Sequence, residues 1–474
     1  MKKNIAIIGG GGAGATAAWA LNKIHNVSLF EAEQSLGGHA FTKTIKVEGH
    51  KIPVDLGVEF FSEKQAPNLS ALLSHFRIDT YVAPLSFAAI YDTEEEYWSN
   101  HNDNGNLWKK IREECSRFHL DMHNVIHLNP SQVKTITLGE FLKRQNYSDD
   151  FIFKALLPLM TTFSSCESPL LDYSLTFCAI SFNMGLLSFF HPSYWRKAKG
   201  GIGSYITAIE KELGNKVLVN SRVEKVTRNK NNKVNVEFKG INGKECKEFD
   251  EVIFATHADI ALSLIENPSP LEKILLSGFE YTKVQSVLHR DGSVLAPNLP
   301  YRCYCEFNGV NRKINQKLNG SLTRVINRLS CHQNIKTPIL VTFDAKMPIS
   351  EELVYLKKDW KIPKLRPVDM ANKKKITKIQ GLDRFWFCGT DTSFTGHEGA
   401  ILSGLVIAEA LGAKYPFYNN DWAKIQFDVV KGIMGIYQFN EKINNLFANS
   451  IYAVAKKLGL HKGQVSRVLL DIYI

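Results

Sequence analysis

Three glycines and one carboxylate carry the clearest chemical signal in this chain. Gly9, Gly11 and Gly14 stand in the order GxGxxG, and Glu31 lies 31 − 9 = 22 residues beyond the first of them. Glycine at the first place permits a tight turn, at the second lets backbone approach a pyrophosphate, and at the third lets a helix pack close to a sheet. A helix opening at Gly12 and Ala13 would offer free N–H groups and partial positive charge to the phosphates. Glu31 would accept hydrogen bonds from adenosine ribose hydroxyls and repel a 2′-phosphate, which disfavours NADP. A second candidate is His289 in SVLHRD, a strand pattern in which Arg290 and Asp291 follow the ring. Such a histidine can act as a base or polarise a carbonyl; it can equally be a hydrogen-bonded strand residue.

These groups need a strand, a turn, a helix and a second strand to position them. Residues 4–8 form a short apolar run, GGGGAG follows, ATAAWALNKI has helical spacing, and residues 26–31 (NVSLFE) read as the second strand. The same N-terminus imitates a secretory signal, but four consecutive glycines would break the helix such a signal needs. With 474 residues, 44% hydrophobic and 22% charged, the chain has a globular composition that excludes disorder, collagen and coiled coil. At about 100–200 residues per domain it should hold two or three domains. The net charge of +11 is spread thinly, with denser basic stretches at 357–375 and after Lys414, and reads as a solvated basic surface. No aromatic-basic motif accompanies it, so nucleic-acid binding is not expected. Eight cysteines show no CxxC pair, which indicates neither zinc nor a disulfide scaffold and fits reduced thiols in the cytoplasm. Residues 173–195 lack charge but contain Asn183, His191 and Pro192, so they read as a buried helix lining an apolar pocket rather than a membrane span.

Further motifs make the reading specific. After the first unit comes EAEQSLGGHA, and the spacing ExxxxxGG resembles the flavin amine oxidase superfamily, which includes amine oxidases, phytoene-type desaturases and protoporphyrinogen oxidases. The resemblance implies that Ala32, Gly37, Gly38 and His39 approach the phosphates of FAD, with His39 where most members carry Arg. Near the other end, RFWFCG followed by TDTSFTGHEGAILSG resembles the superfamily's closing motif and implies flavin contacts from Gly389, Thr390, Asp391, Glu398, Gly399 and Ala400. A helix starting near Glu398 would aim its positive end at the flavin. KGGIGSY (199–205) resembles the family's second glycine turn, and VLVNSRVEKV (217–226) the strand whose valine, here Val223, meets adenine. KVNVEF and ECKEF around GING read as a hairpin, and FDEVIFATH (249–257) as a strand returning Ala255, Thr256 and His257 to the cofactor. VDLGVEFF, FATHADIAL, VLHRD and GHEGAILSG narrow the resemblance to a bacterial branch of amine-oxidase-like FAD/NAD(P)-binding proteins. A similar module precedes the methyltransferase in plant cyclopropane fatty acid synthases, which implies by analogy a lipid-modification context and a lipid-methyltransferase partner.

The implied fold class is α/β. A Rossmann-like FAD-binding domain of the amine oxidase type (1–62, 196–275 and 376–412) is interleaved with an α+β substrate domain (63–195 and 276–375), and a helical extension (413–474) follows. The flavin itself would accept hydride, so no nucleophilic triad is expected, and without a Ser-Gly-Gly-Cys sequence FAD should be noncovalent. Polar groups expected near the ring are Glu59 (otherwise a turn-capping carboxylate), His289, Lys283 and His397. Lys283 would match a water-anchoring lysine of amine oxidases, and His397 would stand at one wall of their aromatic cage, where His in place of Tyr argues against an ordinary cage. Phe151, Phe153, Met160, Phe163, Phe177, Phe182, Phe189 and Phe190 suit either a pocket for a long hydrophobic substrate or a plain core. The basic helical pattern after Asp421 suits either contact with anionic lipid at the inner membrane face or docking on the body. The resulting expectation is an FAD-dependent oxidoreductase moving hydride from a hydrophobic, fatty-acyl or isoprenoid substrate. The alternatives are an amine oxidase releasing hydrogen peroxide and a non-catalytic flavin-binding partner of a lipid methyltransferase.

Overall fold

A computed structural model describes residues 1–91, 96–101, 105–165, 168–185, 187–297, 299, 302–309 and 318–436. Its centre is a parallel five-stranded sheet in the order Phe385–Phe387, Glu251–Phe254, Asn4–Ile8 (β1), Asn26–Phe30 (β2), Val217–Leu218. Ile5 to Ile8 of β1 are all buried, as a strand covered on both faces requires. The helix Gly12–Leu21 (α1) is buried along every residue, which explains why its composition is apolar all round rather than striped. It lies against the helices Ser204–Leu213 and His397–Ala410. A Cβ on Gly404 would stand 2.2 Å from the Ala13 carbonyl oxygen, so only glycine lets the second helix cross α1 this closely.

The expected hairpin is present as Val234–Gly240 and Gly243–Phe249, completed to a three-stranded sheet by Arg222–Arg228. Phe238 and Phe249 pack on Phe30 between the two sheets. The stretch 217–226 is therefore not one strand. Asn220, at φ 49°, turns the chain so that Val217–Leu218 joins the parallel sheet and Arg222–Arg228 the antiparallel one.

A mixed seven-stranded sheet carries the second half of the site. Its order is Val354–Pro363, Tyr281–His289, Leu340–Phe343, Gly320–Val325, Cys305–Gly309, Phe87–Tyr91, Glu96–Ser99. Helices Gly105–Val125 and Leu175–Asn183 enclose a core in which Phe118, Phe151, Phe182 and Phe189 pack together, Phe182 stacked on Phe189 and Phe118 edge-on to both. The long buried helix expected over 173–195 is a nine-residue helix. Gly185, at φ +72°, lies just beyond its end, and residues 193–198 form a strand. No helix among the described residues is long and apolar enough to cross a membrane. The helix Asp421–Ile433 buries Phe427 and Val430 against the body, so this part of the basic tail is docked; residues 437–474 of the expected extension lie outside the described residues.

Candidate active site

The two glycine turns meet at the carboxyl ends of the parallel strands. Gly9 turns at φ +104°, and a Cβ on Gly14 would lie 1.9 Å from the Gly9 carbonyl oxygen, so both glycines are dictated by backbone alone. Gly11 differs: a Cβ there would meet nothing nearer than the Gly38 Cα at 3.9 Å. Its freedom from any side chain is not needed for packing; it leaves an open cradle over Gly38, in front of the α1 N-terminus. Gly37 donates its amide to the Gly10 carbonyl at 2.9 Å, and Gly10 donates its own to Glu31 Oε2 at 2.8 Å. Glu31 Oε1 accepts from the Glu33 amide at 2.9 Å, so Glu31 organises the turns it was expected to serve only as a ribose acceptor; Ala32 is half-buried beside it. The Ala255 carbonyl oxygen crowds the Cβ position of Gly9 at 2.8 Å, and Val223 is buried within the antiparallel layer.

The C-terminal motif arrives on the far side of β1. Gly389, at φ +125°, donates to Ser403 Oγ at 2.8 Å. Asp391 Oδ2 accepts from the Tyr281 hydroxyl at 2.6 Å and the Ala258 amide at 3.0 Å, with His257 Nδ1 at 3.7 Å. Burial opposes its charge, yet His257, Tyr281 and the Lys373 ammonium hold its carboxyl below the usual range. Asp391 Oδ1 is buried with no hydrogen-bond partner. A buried carboxylate oxygen left this way is costly unless a ligand hydroxyl meets it, which the ribityl chain of FAD can supply. The open cradle at Gly11 and this orphaned oxygen both fit FAD.

Glu398 departs from its expected role. Its carboxylate accepts from the Asn68 and Leu69 amides, each at 2.8 Å, and so pins the N-terminus of the helix Pro67–His75. What Glu398, Gly399 and Ala400 can offer a flavin is the helix end itself, which carries no side-chain cap at Gly396. A Cβ on Gly399 would stand 2.0 Å from the Phe394 carbonyl oxygen, so that glycine serves the turn.

Of the expected catalytic groups, Glu59 is the centre of a buried ionic cluster. Lys197 Nζ and the Tyr304 hydroxyl both bond its Oε1, and Arg324 Nη1 lies 3.1 Å from Oε2. Asp55 stands 3.5 Å from Lys197 and accepts from Thr42 and the Ile202 amide. Burial opposes ionisation of Glu59, but Lys197 and Arg324 overcome it and hold its carboxyl low; Asp55, with a weaker share of Lys197, is pushed up. His289 is a structural strand residue: fully buried, it bonds Thr342 Oγ1 through Nε2 at 2.8 Å, and Nδ1 accepts the Asp291 amide at 3.2 Å. Burial holds it down to about 4, so it is neutral and spent. Lys283 is exposed and pairs in register with Lys361. Strand alternation turns it away from Val284, which faces the core. His397 does not wall a cage. It sits against Gly12, 3.1 Å from that residue's Cβ position, and bonds the Tyr205 hydroxyl at 2.8 Å. The reason is the close crossing of its helix with α1 at Gly404, which brings the two helix starts together.

Lys197, Arg324, Tyr304, Tyr205 and Lys373 were not singled out in the sequence. Lys373 is buried, donates to the Thr390 carbonyl at 2.6 Å and to the Ser393 carbonyl and Thr395 hydroxyl at 3.2 Å, and thus holds the Gly389–Gly396 loop from below. It hid inside the basic stretch 357–375, read as solvated. Lys197 and Arg324 left signals: Lys197 shares a strand face with Trp195 two residues away, and Arg324 is the one charge in GSLTRV.

The sequence profile described as flavin containing amine oxidoreductase matches residues 13–288, more than half of the chain. A search of the curated proteins found no match. Among solved structures, putrescine oxidase bound to putrescine aligns at 16% identity with a TM-score of 0.62, covering 87% of this chain and 99% of that one. Cyclohexylamine oxidase from Brevibacterium oxydans IH-35A aligns at 15% identity and TM-score 0.63, covering 87% and 100%. A CLA-producing fatty acid isomerase from P. acnes aligns at 14% and 0.60, covering 86% and 98%. At these identities the likeness speaks for the fold.

Proposed function

The chain belongs to the flavin containing amine oxidoreductase family and is an FAD-dependent oxidoreductase, and from that premise we propose that it removes hydride from an uncharged, hydrophobic substrate of the fatty-acyl or isoprenoid kind. When bound, FAD supplies the hydride acceptor. The fold does not choose the substrate, since similar folds serve amines and a fatty acid in the proteins compared above.

The observation that carries the reading is the fate of Glu59. A substrate amine bound as ammonium needs an acidic partner in a dry site. Glu59 is already matched by Lys197 and Arg324, and Asp55 by Thr42, the Ile202 amide and a share of Lys197, with Asp55 Oδ2 and Glu59 Oε2 met by charge contacts alone. Glu59, the acid whose carboxyl is held low, lies between two cations, and the Phe60 and Phe343 rings cover Lys197 and Arg324. An environment without net negative charge and with apolar walls favours a neutral chain over a cation. The roles left to this chain's residues are to exclude water and to fix the reacting carbon; the hydride would pass to bound FAD and a proton would leave the neighbouring carbon, so that a C=C bond forms.

The test is anaerobic mixing of the FAD-loaded protein with phospholipid vesicles of mixed acyl chains, and separately with a panel of mono- and diamines. Bleaching of the flavin band by the vesicles supports the reading. Bleaching by amines alone, with hydrogen peroxide released on return of air, replaces it by an amine oxidase.

A further inference from the structure

Three histidines converge where the sheet's carboxyl ends meet the glycine turns. His39 directly follows Gly38, which packs on Gly11; His257 caps the helix Ala258–Leu264 three residues past the strand beside Gly9; His397 starts the helix that abuts Gly12. The rings of His39 and His257 face edge to face with centroids 6.1 Å apart, and His39 also stacks on Trp360 at 5.1 Å. His397 is tied to the Tyr205 hydroxyl at 2.8 Å and lies close enough to His39 to be disfavoured as a cation. Nothing in hydride transfer needs three imidazoles on the phosphate side.

We propose that His39 and His397, with His257 packed against His39, form a collar in which the first two take up protons as the FAD diphosphate settles on the glycine turns, so that cofactor affinity is set by pH. The proposal rests on FAD occupying this site. The diphosphate brings two negative charges into a place where the α1 N-terminus offers only about half of one positive charge. The charged groups around the collar are otherwise committed. Asp391 faces His257 from the C-terminal loop; Lys361 is paired with Asp259; Lys373 is turned to the Thr390 and Ser393 carbonyls; Lys358 lies over the Trp360 and Phe41 rings; Glu398 is held by Asn68 and Leu69; Glu31 by Gly10 and Glu33. Protonating the histidines is the remaining way to balance the ligand. Without ligand, burial, with His257 and the Lys358 ammonium, keeps His39 down to about 4, and burial with His39 keeps His397 down to about 4. An anion at contact raises such a value by about 1–3 units. The protonated form then binds more tightly, so affinity is highest at low pH and is lost as pH rises through the raised values.

The experiment starts from the FAD-loaded protein, diluted to equilibrium at pH 5.5, 6.5, 7.5 and 8.5, with released FAD read by its fluorescence. The Kd should rise about fourfold from the lowest to the highest pH for each histidine shifted by about two units. His39→Arg, with a charge fixed at every pH, should bind more tightly than wild type at pH 8.5 and show a shallower dependence. A Kd constant within about twofold overturns the collar while leaving FAD binding intact. So does a slope that survives in the His39→Gln, His397→Gln double variant, since it would belong to Glu398 or Lys373. Failure of the protein to bind FAD at any pH overturns both the collar and the FAD site beneath it. The wild-type titration alone can overturn the collar, and the double variant assigns any slope that it shows.

Discussion

Gly10 donates its amide to the Glu31 carboxylate at 2.8 Å, which ties the first glycine turn to the end of β2. The acid is thus part of the cradle's scaffold as well as a ribose acceptor. Glu31→Gln keeps the shape but loses the charge and one acceptor position. Hydrogen bonds to charged groups are worth about 1.5–3 kcal/mol, so FAD affinity should fall about 10- to 100-fold with little change in thermal stability. Equilibrium dialysis of FAD beside a melting curve checks this.

The two glycines of the turn should respond in opposite ways to substitution. Gly11→Leu adds bulk where only open cradle is found, so the protein should fold, melt near the wild-type apoprotein and retain no FAD. Gly14→Ala forces a methyl into the Gly9 carbonyl and should cost about 1–3 kcal/mol or more of stability before any ligand is considered. The discriminating readout is flavin content against unfolding free energy for the same pair.

Breaking the ionic cluster on one side should be far worse than removing it whole. Lys197→Met leaves Glu59 and Asp55 buried without their main cation and should cost about 3–5 kcal/mol. Lys197→Met combined with Glu59→Leu removes one charge of each sign and should recover much of that loss. Urea unfolding of wild type, both single variants and the double variant gives the coupling.

Glu398 predicts a pH dependence of stability. Burial raises its carboxyl to about 7, against the bonds from Leu69 and Asn68. A folded value above the unfolded one means that its contribution is fully present below about pH 4.5 and is lost as pH rises through 7. Glu398→Gln should therefore flatten the decline in stability between pH 4.5 and 7. Parallel melts of the two proteins across that range test it, and identical slopes would count against the raised value.

The sequence disclosed what local backbone chemistry controls and little of what distant packing controls. The turn at Gly9, the helix after it, the hairpin at 234–249 and the Gly389 motif were legible because each depends on residue type at fixed short spacing. The side chains were another matter. Lys283 and His289 sit six residues apart on one strand and differ in fate because only the His289 end is paired on both sides and enclosed, which no local pattern states. Lys373 looked solvated in the basic run 357–375, and both it and Lys197 are buried because carbonyls and carboxylates from other segments enclose them. His397 was placed by a helix crossing that depends on Gly404, and the break at Asn220 by one left-handed residue.

The claim beneath all of this is that two glycine turns and Asp391 hold FAD without a covalent bond. The most direct measurement is the visible spectrum of the purified protein after incubation with FAD and gel filtration, followed by acid precipitation and identification of the released flavin. The expected result is a flavin band that travels with the protein and intact FAD in the supernatant. A colourless protein after filtration, or a flavin that stays attached to the precipitate, would contradict it.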